Sequence, residues 1–146
     1  MRWSEITESH DLESQQELNL RRNWLTRKHQ ARLITSKLGY DVYEHEEYDK
    51  LIAYIVKGDE PLGYCSCYTQ DGVVQINSTF ITATDRSKGL GTILYKALIE
   101  QGYTLISDTE RSPGANALWS KLSKDPELDI QDNGFDRFIG KLKTSK

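Results

Sequence analysis

A chain of 146 residues suits one domain, residues 1–146, large enough to bury a core of its own. Charged residues at 28% and hydrophobic ones at 37% exclude wholesale disorder, and a net charge of −3 gives no reason to expect nucleic acid or an anionic membrane as partner. No apolar run approaches the ~20 residues of a membrane span, and Met1-Arg2-Trp3-Ser4-Glu5 lacks the apolar segment of a secretory signal, so a cytoplasmic protein is expected.

Ser14 and Glu17 have capping-box spacing, which predicts a helix start near there. Leu20, Trp24, Ala31, Ile34 and Leu38 then recur at helical spacing as far as Gly39, with a break into two helices within 27–32 as the alternative. The opposite face of this predicted N-terminal helix is basic: Arg21, Arg22, Arg27, Lys28 and Arg32. Such a face docks nucleic acid or an acidic protein partner, or is simply solvated, and the acidic chain as a whole favours solvation.

From Tyr40 the chain turns to short β-rich runs. Residues 41–45 read as an added edge strand, and residues 51–57, 62–69 and 73–82 as an antiparallel meander. Gly58-Asp59-Glu60-Pro61 and Asp71-Gly72 supply the turns. Cys65 and Cys67, two apart on one strand, point to one face and are poorly placed for a disulfide. They read as small reduced core residues, and three distant histidines gather no metal site, so no metal is expected.

The most informative stretch follows, Arg86-Ser87-Lys88-Gly89-Leu90-Gly91. Leu90, Ile93, Leu94, Ala97 and Leu98 mark one apolar helix face behind it, Gly102 stops that helix, and residues 103–107 read as a strand. This is strand, glycine-rich turn, helix, strand. Its turn offers bare N–H groups at a helix start between two cations, a site for phosphate. Ser112 with Pro113 opens another helix, to about Leu122, with Leu118, Trp119 and Leu122 inward. Residues 124–133 read as a polar connection and 135–142 as a last strand, Asp136, Phe138, Gly140 and Leu142 sharing one side. The sum is an α/β (α+β) fold: an antiparallel meander, then a βαβ crossover, one mixed sheet with helices on both faces.

Three glycine motifs compete for the turn. A P-loop requires Lys after its last glycine, and none follows Gly91. A dinucleotide fingerprint requires a third glycine where Leu94 stands, within repeated βαβ units. R-x-x-G-x-G is met in full by Arg86, Gly89 and Gly91. With these residues in this order of elements, the chain from about 51 to 142 resembles the GNAT N-acetyltransferase superfamily. A weaker helix motif, N-x-x-A-x-x-L-Y, is approximated by Ser112, Ala115, Leu118 and Trp119.

The resemblance implies acetyl-coenzyme A as cosubstrate. Its diphosphate would lie on Arg86, Ser87, Lys88, Gly89, Leu90, Gly91 and Thr92, with Ser112 near the pantetheine or the sulfur. Its pantetheine would pair with the strand edge at Phe80, Ile81 and Thr82, where the family's fourth and fifth strands splay apart. The Ile81 N–H would polarise the thioester carbonyl. The resemblance also exposes vacancies. The family's tyrosine acid falls on Trp119, and the strand that often carries a glutamate base offers Gln75, Asn77, Ser78 and Thr79. Asp108, Ser112 and Tyr64 are the substitutes for catalysis, each also readable as a cap or as packing. Two functions stay open: transfer of acetyl to a primary amine of a small molecule, peptide or protein, or a catalytically silent GNAT-like domain that binds a protein. A homodimer is compatible with either. The signature Ser107-Asp108-Thr109 with Leu118-Trp119 resembles small family members carried by bacteriophages, which would place the protein in a host's cytoplasm.

Overall fold

The structure, a computed structural model, describes residues 3–86, 88–107, 113–132 and 137–143, with the backbone alone at 3–13 and 113–114. Helix α1 (Trp3–Arg27) leads into five antiparallel strands joined by tight turns: β1 (Arg32–Lys37), β2 (Tyr40–Glu47), β3 (Lys50–Lys57), β4 (Glu60–Gln70) and β5 (Val73–Ile81). A 3₁₀ turn (Ala83–Asp85) precedes α2 (Leu90–Glu100). Then come β6 (Thr104–Ile106), α3 (Pro113–Ser123), β7 (Leu128–Asp132) and β8 (Phe138–Leu142). The eight strands form one mixed sheet in the order β1-β2-β3-β4-β5-β6-β8-β7, with β5 and β6 its parallel pair.

Helices cover both faces of the sheet, as expected. On one face α1 lays Leu20 and Trp24 over Tyr54, Val56 and Phe80, with Trp24 ring centroids 5.0 Å from Tyr43 and 5.5 Å from Tyr54. On the other, α2 and α3 bury Leu94, Leu98, Trp119 and Leu122 against Ala53, Ile55, Val74 and Leu105. The apolar stripe of α2 faces this core, with Ile93 at its margin. Cys65 and Cys67 do share that face: both are buried, free, and 3.5 Å apart at sulfur. A hydrogen bond with Cys65, then burial, pushes the Cys67 thiol up, as suits an inert core residue.

Four expectations are corrected. The first helix begins at Trp3, upstream of Ser14, and ends at Arg27. The continuation through Ile34 to Leu38 is strand β1, paired to β2 through a turn where Leu38 and Gly39 both have positive φ. Ile34, Thr35 and the two-residue hairpin turn outweigh a stripe that was thin over 27–32. Arg32 accordingly lies on β1, and the supposed edge strand at 41–45 is β2, interior between β1 and β3. The polar connection at 124–133 contains β7, whose Leu128 is buried while Gln131 and Asp132 are exposed. As a sheet margin it carries only two apolar anchors, Leu128 and the half-buried Ile130, which hid it in the sequence. The final strand runs from Phe138, part of the expected 135–142 lying outside the described residues.

Candidate acyl-transfer site

Strand β5 pairs with β4 along nearly its whole length, Val73 opposite Gln70 and Ile81 opposite Gly63. With β6 it pairs only from Val73 to Gln75, against Thr104 to Ile106. Two local features separate the strands beyond that point. Asn77 is the extra residue of a bulge, since Ser78 faces Ser66 and Ile76 faces Cys67, and a bulge bends its own strand. Ser107, just after β6, exchanges bonds with Phe138, the first residue of β8: its N–H donates to the Phe138 carbonyl at 2.9 Å and its Oγ accepts from the Phe138 N–H at 2.8 Å. So β5 stays with β4 while the chain after β6 stays with β8, and a V-shaped gap opens at Gln75 and Ile106.

Backbone direction inside the gap follows from one bond. The Thr82 N–H donates to the Leu62 carbonyl at 2.9 Å, so alternation turns the amides of Phe80 and Ser78 toward β4 and those of Ile81 and Thr79 into the gap. Among the described residues no strand pairs with that side of β5. Phe80 and Thr82, expected to share this edge, instead direct their backbone groups to β4. The Phe80 ring is buried on the α1 side. Beyond the turn, Arg86 donates Nε to the Ile81 carbonyl at 3.1 Å and lies 5.8 Å over the Phe80 ring, so this cation is positioned by the edge and the α1 face of the strand end.

The turn into α2 gives its two glycines different tasks. Gly89 is the N-cap at φ 78, a left-handed conformation that glycine adopts without strain, and it has no side chain to cap the helix. The first-turn amides of Leu90, Gly91 and Thr92 therefore face outward with the positive end of the helix dipole. Gly91 serves packing: a Cβ there would stand 2.5 Å from Leu118 Cδ1 on α3. At Gly91 the near neighbour is thus the end of the Leu118 side chain, which would have to move for a Cβ to fit.

The electrostatics also differ from the expectation. Lys88 lies 3.0 Å from Asp85, and the Thr82 hydroxyl, followed by Lys88 and Thr84, holds the Asp85 carboxyl below its ordinary range. Asp85 in turn raises Lys88. The charge of Lys88 is thus answered within the turn. Lys121 on α3, which the sequence reading missed, places Nζ 3.5 Å from where a Cβ would stand at Gly89 and makes no ion pair among the described residues. Its signal was available: Lys121 follows Leu118 by three residues, so it shares the helix side that meets the glycine turn.

The other expected residues fall as follows. Tyr64 lies on β4, one strand in from the free edge, half-buried on the α1 side with its ring 6.1 Å from Phe80. Ser87, Asp108 and Ser112 lie outside the described residues. Trp119 is 1% exposed, stacked on Phe138 at 5.6 Å and tilted against Tyr95 at 5.6 Å. Of the basic residues, Arg21 pairs with Glu60, Lys28 with Asp59, Arg32 with Glu44, and Arg27 reaches Glu47 and the Tyr54 hydroxyl. Among the described residues no group of three or more histidine, cysteine or carboxylate side chains could hold a metal, and no helix is long and apolar enough to cross a membrane. A hollow of about 770 Å³ lies at the β4–β5 hairpin, lined by Asp49, Tyr68, Asp71 and Gln75, the last also marking the vertex of the gap.

No curated protein matches the sequence. Among solved structures, the chain is similar to a GNAT family acetyltransferase from Elizabethkingia anophelis with acetyl-CoA bound, at 16% identity and a TM-score of 0.50, over 71% of this chain and 97% of that one. It is also similar to the ribosomal-protein-S18-alanine N-acetyltransferase from Escherichia coli, at 15% identity and TM-score 0.46 over 65% and 69% of the two chains. A third is the PaiA N-acetyltransferase from Thermoplasma acidophilum in complex with coenzyme A, at 12% identity and TM-score 0.46 over 65% and 62%. Likeness at these identities speaks to fold alone. The profile of the acetyltransferase (GNAT) family, however, matches residues 6–120, from within α1 to within α3, and with the gap, the glycine turn and the mixed sheet in place the chain belongs to that family.

Proposed function

We propose that the protein is an acetyl-coenzyme A-dependent N-acetyltransferase acting on a primary amine. The observation that carries this reading is the continuous track from the free edge of β5 to the uncapped start of α2. Thr79 and Ile81 offer outward backbone groups along the gap, and Arg86, Lys121 and the amides of Leu90, Gly91 and Thr92 gather positive charge at its mouth. These donors fit an elongated ligand with secondary amides in its arm and a diphosphate at its end. The structural neighbour with acetyl-CoA bound supports the choice of ligand.

In this reading the diphosphate rests on the α2 amides with Arg86 and Lys121, while Lys88, tied to Asp85, contributes less. The pantetheine amides continue the β5 edge as a strand would. The N–H of Ile81, or of Thr79 nearer the vertex, points where negative charge develops on the thioester oxygen as the amine attacks. Held in this way, a neutral amine reacts through proximity and oxyanion stabilisation. The acceptor's own nature is open within small molecules, peptides and proteins. A silent, partner-binding domain is the second reading, favoured by one observation: Trp119 fills the family's tyrosine position and is wholly committed to the core.

Titration calorimetry with acetyl-coenzyme A, followed by thiol release over a panel of primary amines, separates these readings. Micromolar binding with turnover on at least one amine is the expected result. Binding with no turnover on any amine would give the case to the silent domain, and absence of binding at millimolar cosubstrate would overturn the acetyltransferase reading.

A further inference from the structure

Departure of coenzyme A from a thioester leaves a thiolate that needs a proton, and the tyrosine that the family resemblance would place at 119 is replaced by a buried tryptophan. The ring beside that tryptophan is Tyr95 of α2, 5.6 Å away between centroids. Its body is buried, at 2% exposure, yet its hydroxyl reaches Thr79 Oγ1 at 2.7 Å. Thr79 is exposed, sits on the unpaired stretch of β5 and turns its backbone N–H into the gap. Its hydroxyl donates in turn to Cys65 Sγ at 3.6 Å. That leaves the Thr79 oxygen to accept, so the Tyr95 O–H is the donor of the pair and its proton is aimed at the strand edge. A buried phenol whose proton is directed at the reactive edge exceeds what core packing requires.

We propose that Tyr95 supplies the proton of the transfer through the Thr79 hydroxyl, the proton source having moved from α3 to the neighbouring helix. The inference rests on the acetyltransferase reading above. The amine nitrogen attacks the carbonyl carbon, the C–S bond breaks with its electron pair passing to sulfur, and sulfur takes the proton of the Thr79 hydroxyl, which takes the Tyr95 proton in its place. The proton lost from the amine nitrogen goes to solvent, and the phenolate regains one from water, so the sum is amine plus thioester giving amide plus free thiol. Through the Thr79 hydroxyl the phenol also stabilises the thiolate of the product, which can be measured with no acceptor present.

The experiment compares the wild-type chain with Tyr95→Phe, using coenzyme A itself as the probe. Calorimetry first establishes affinity. Thiolate absorbance of bound coenzyme A is then followed against pH, with the acetyl-coenzyme A complex subtracted. Affinity should be unchanged within about threefold, and the bound thiol should titrate at least about one pH unit higher in the variant, a tenfold loss of thiolate stabilisation. Once the amine panel has given a substrate, kcat should fall at least tenfold with little change in KM. Binding with an unmoved thiol titration would overturn the role of Tyr95 and leave the acetyltransferase reading standing. If wild-type protein binds no coenzyme A, both fall together. Should Tyr95→Phe fail to fold, 3-fluorotyrosine at position 95 keeps the shape and makes the phenol more acidic. The bound thiol must then titrate lower than in the wild type, and no movement would overturn the proposal.

Discussion

A methyl group placed on Gly91 would sit 2.5 Å from Leu118 Cδ1, inside contact distance, so the second glycine of the motif meets the neighbouring helix through one terminal methyl that must move aside. Gly91→Ala should therefore cost no more than about 1 kcal/mol, because the Leu118 methyl can shift and alanine gains about 1 kcal/mol over glycine inside a helix. Denaturant unfolding measures this, and adding Leu118→Ala should recover part of the loss, because the second truncation opens the space that the first needs. Strictly additive costs would show that the two residues do not oppose each other. The cations make a complementary case. Lys121 is unpaired among the described residues while Lys88 is held by Asp85, so Lys121→Ala should weaken acetyl-coenzyme A binding about tenfold, ~1.4 kcal/mol. The same change at Lys88 should cost less, and neither should move the melting temperature appreciably. Equal losses at both positions would mean that the Asp85 pairing does not persist in solution.

At the scale of elements, the β1–β2 hairpin is tied to the α2–β6 corner by the Lys37–Glu100 pair, by Gln101 donating to the Ile34 carbonyl, and by one buried carboxylate. Glu44, 6% exposed, contacts Arg32 with one oxygen and the Tyr103 hydroxyl, at 3.3 Å, with the other. Burial first, then the charges of Glu44 and Glu46, push the Tyr103 phenol up to about 12, against an ordinary value of about 10. A raised folded pKa means that the neutral phenol is the form the fold prefers. Its contribution is complete below about pH 10 and is lost as pH climbs through about 12. Stability measured across this window should decline more steeply in the wild type than in Tyr103→Phe, and parallel profiles would refute the tie.

The same hairpin shows what the sequence could and could not disclose. The meander from 51 onward, the glycine turn and the apolar face of α2 were legible because their periods and turn residues agreed. The segment 32–37 was misread because Ile34 and Leu38 continued a helical spacing begun by Leu20 and Trp24. Only the pairing with β2, a tertiary fact, decided for strand. Lys121 was missed for a related reason, since its significance lies in facing Gly89 across a helix–helix contact. The bulge at Asn77 and the Tyr95–Thr79 bond are likewise products of register, which composition does not encode.

Across the whole molecule the sheet divides two cores of unequal size, and the candidate site belongs almost entirely to the larger one. The free edge of β5, the glycine turn and Lys121 are all fixed by α2, α3 and the strands beneath them. The smaller core, where Leu20 and Trp24 hold α1 to Tyr54, Val56 and Phe80, meets the site at one point, the Phe80 ring under Arg86. Trp24→Ala removes the largest side chain of that cluster and should cost about 3–5 kcal/mol of stability, the range for an aromatic deleted from a core. If the two cores are energetically separate, acetyl-coenzyme A affinity in the folded variant should change by less than about threefold, and saturating ligand should stabilise variant and wild type by equal free energies. An affinity loss of tenfold or more would instead show that Phe80 transmits the state of the α1 face to Arg86. The sheet would then couple the two cores through a single ring, and α1 would act as a lever on the cosubstrate site.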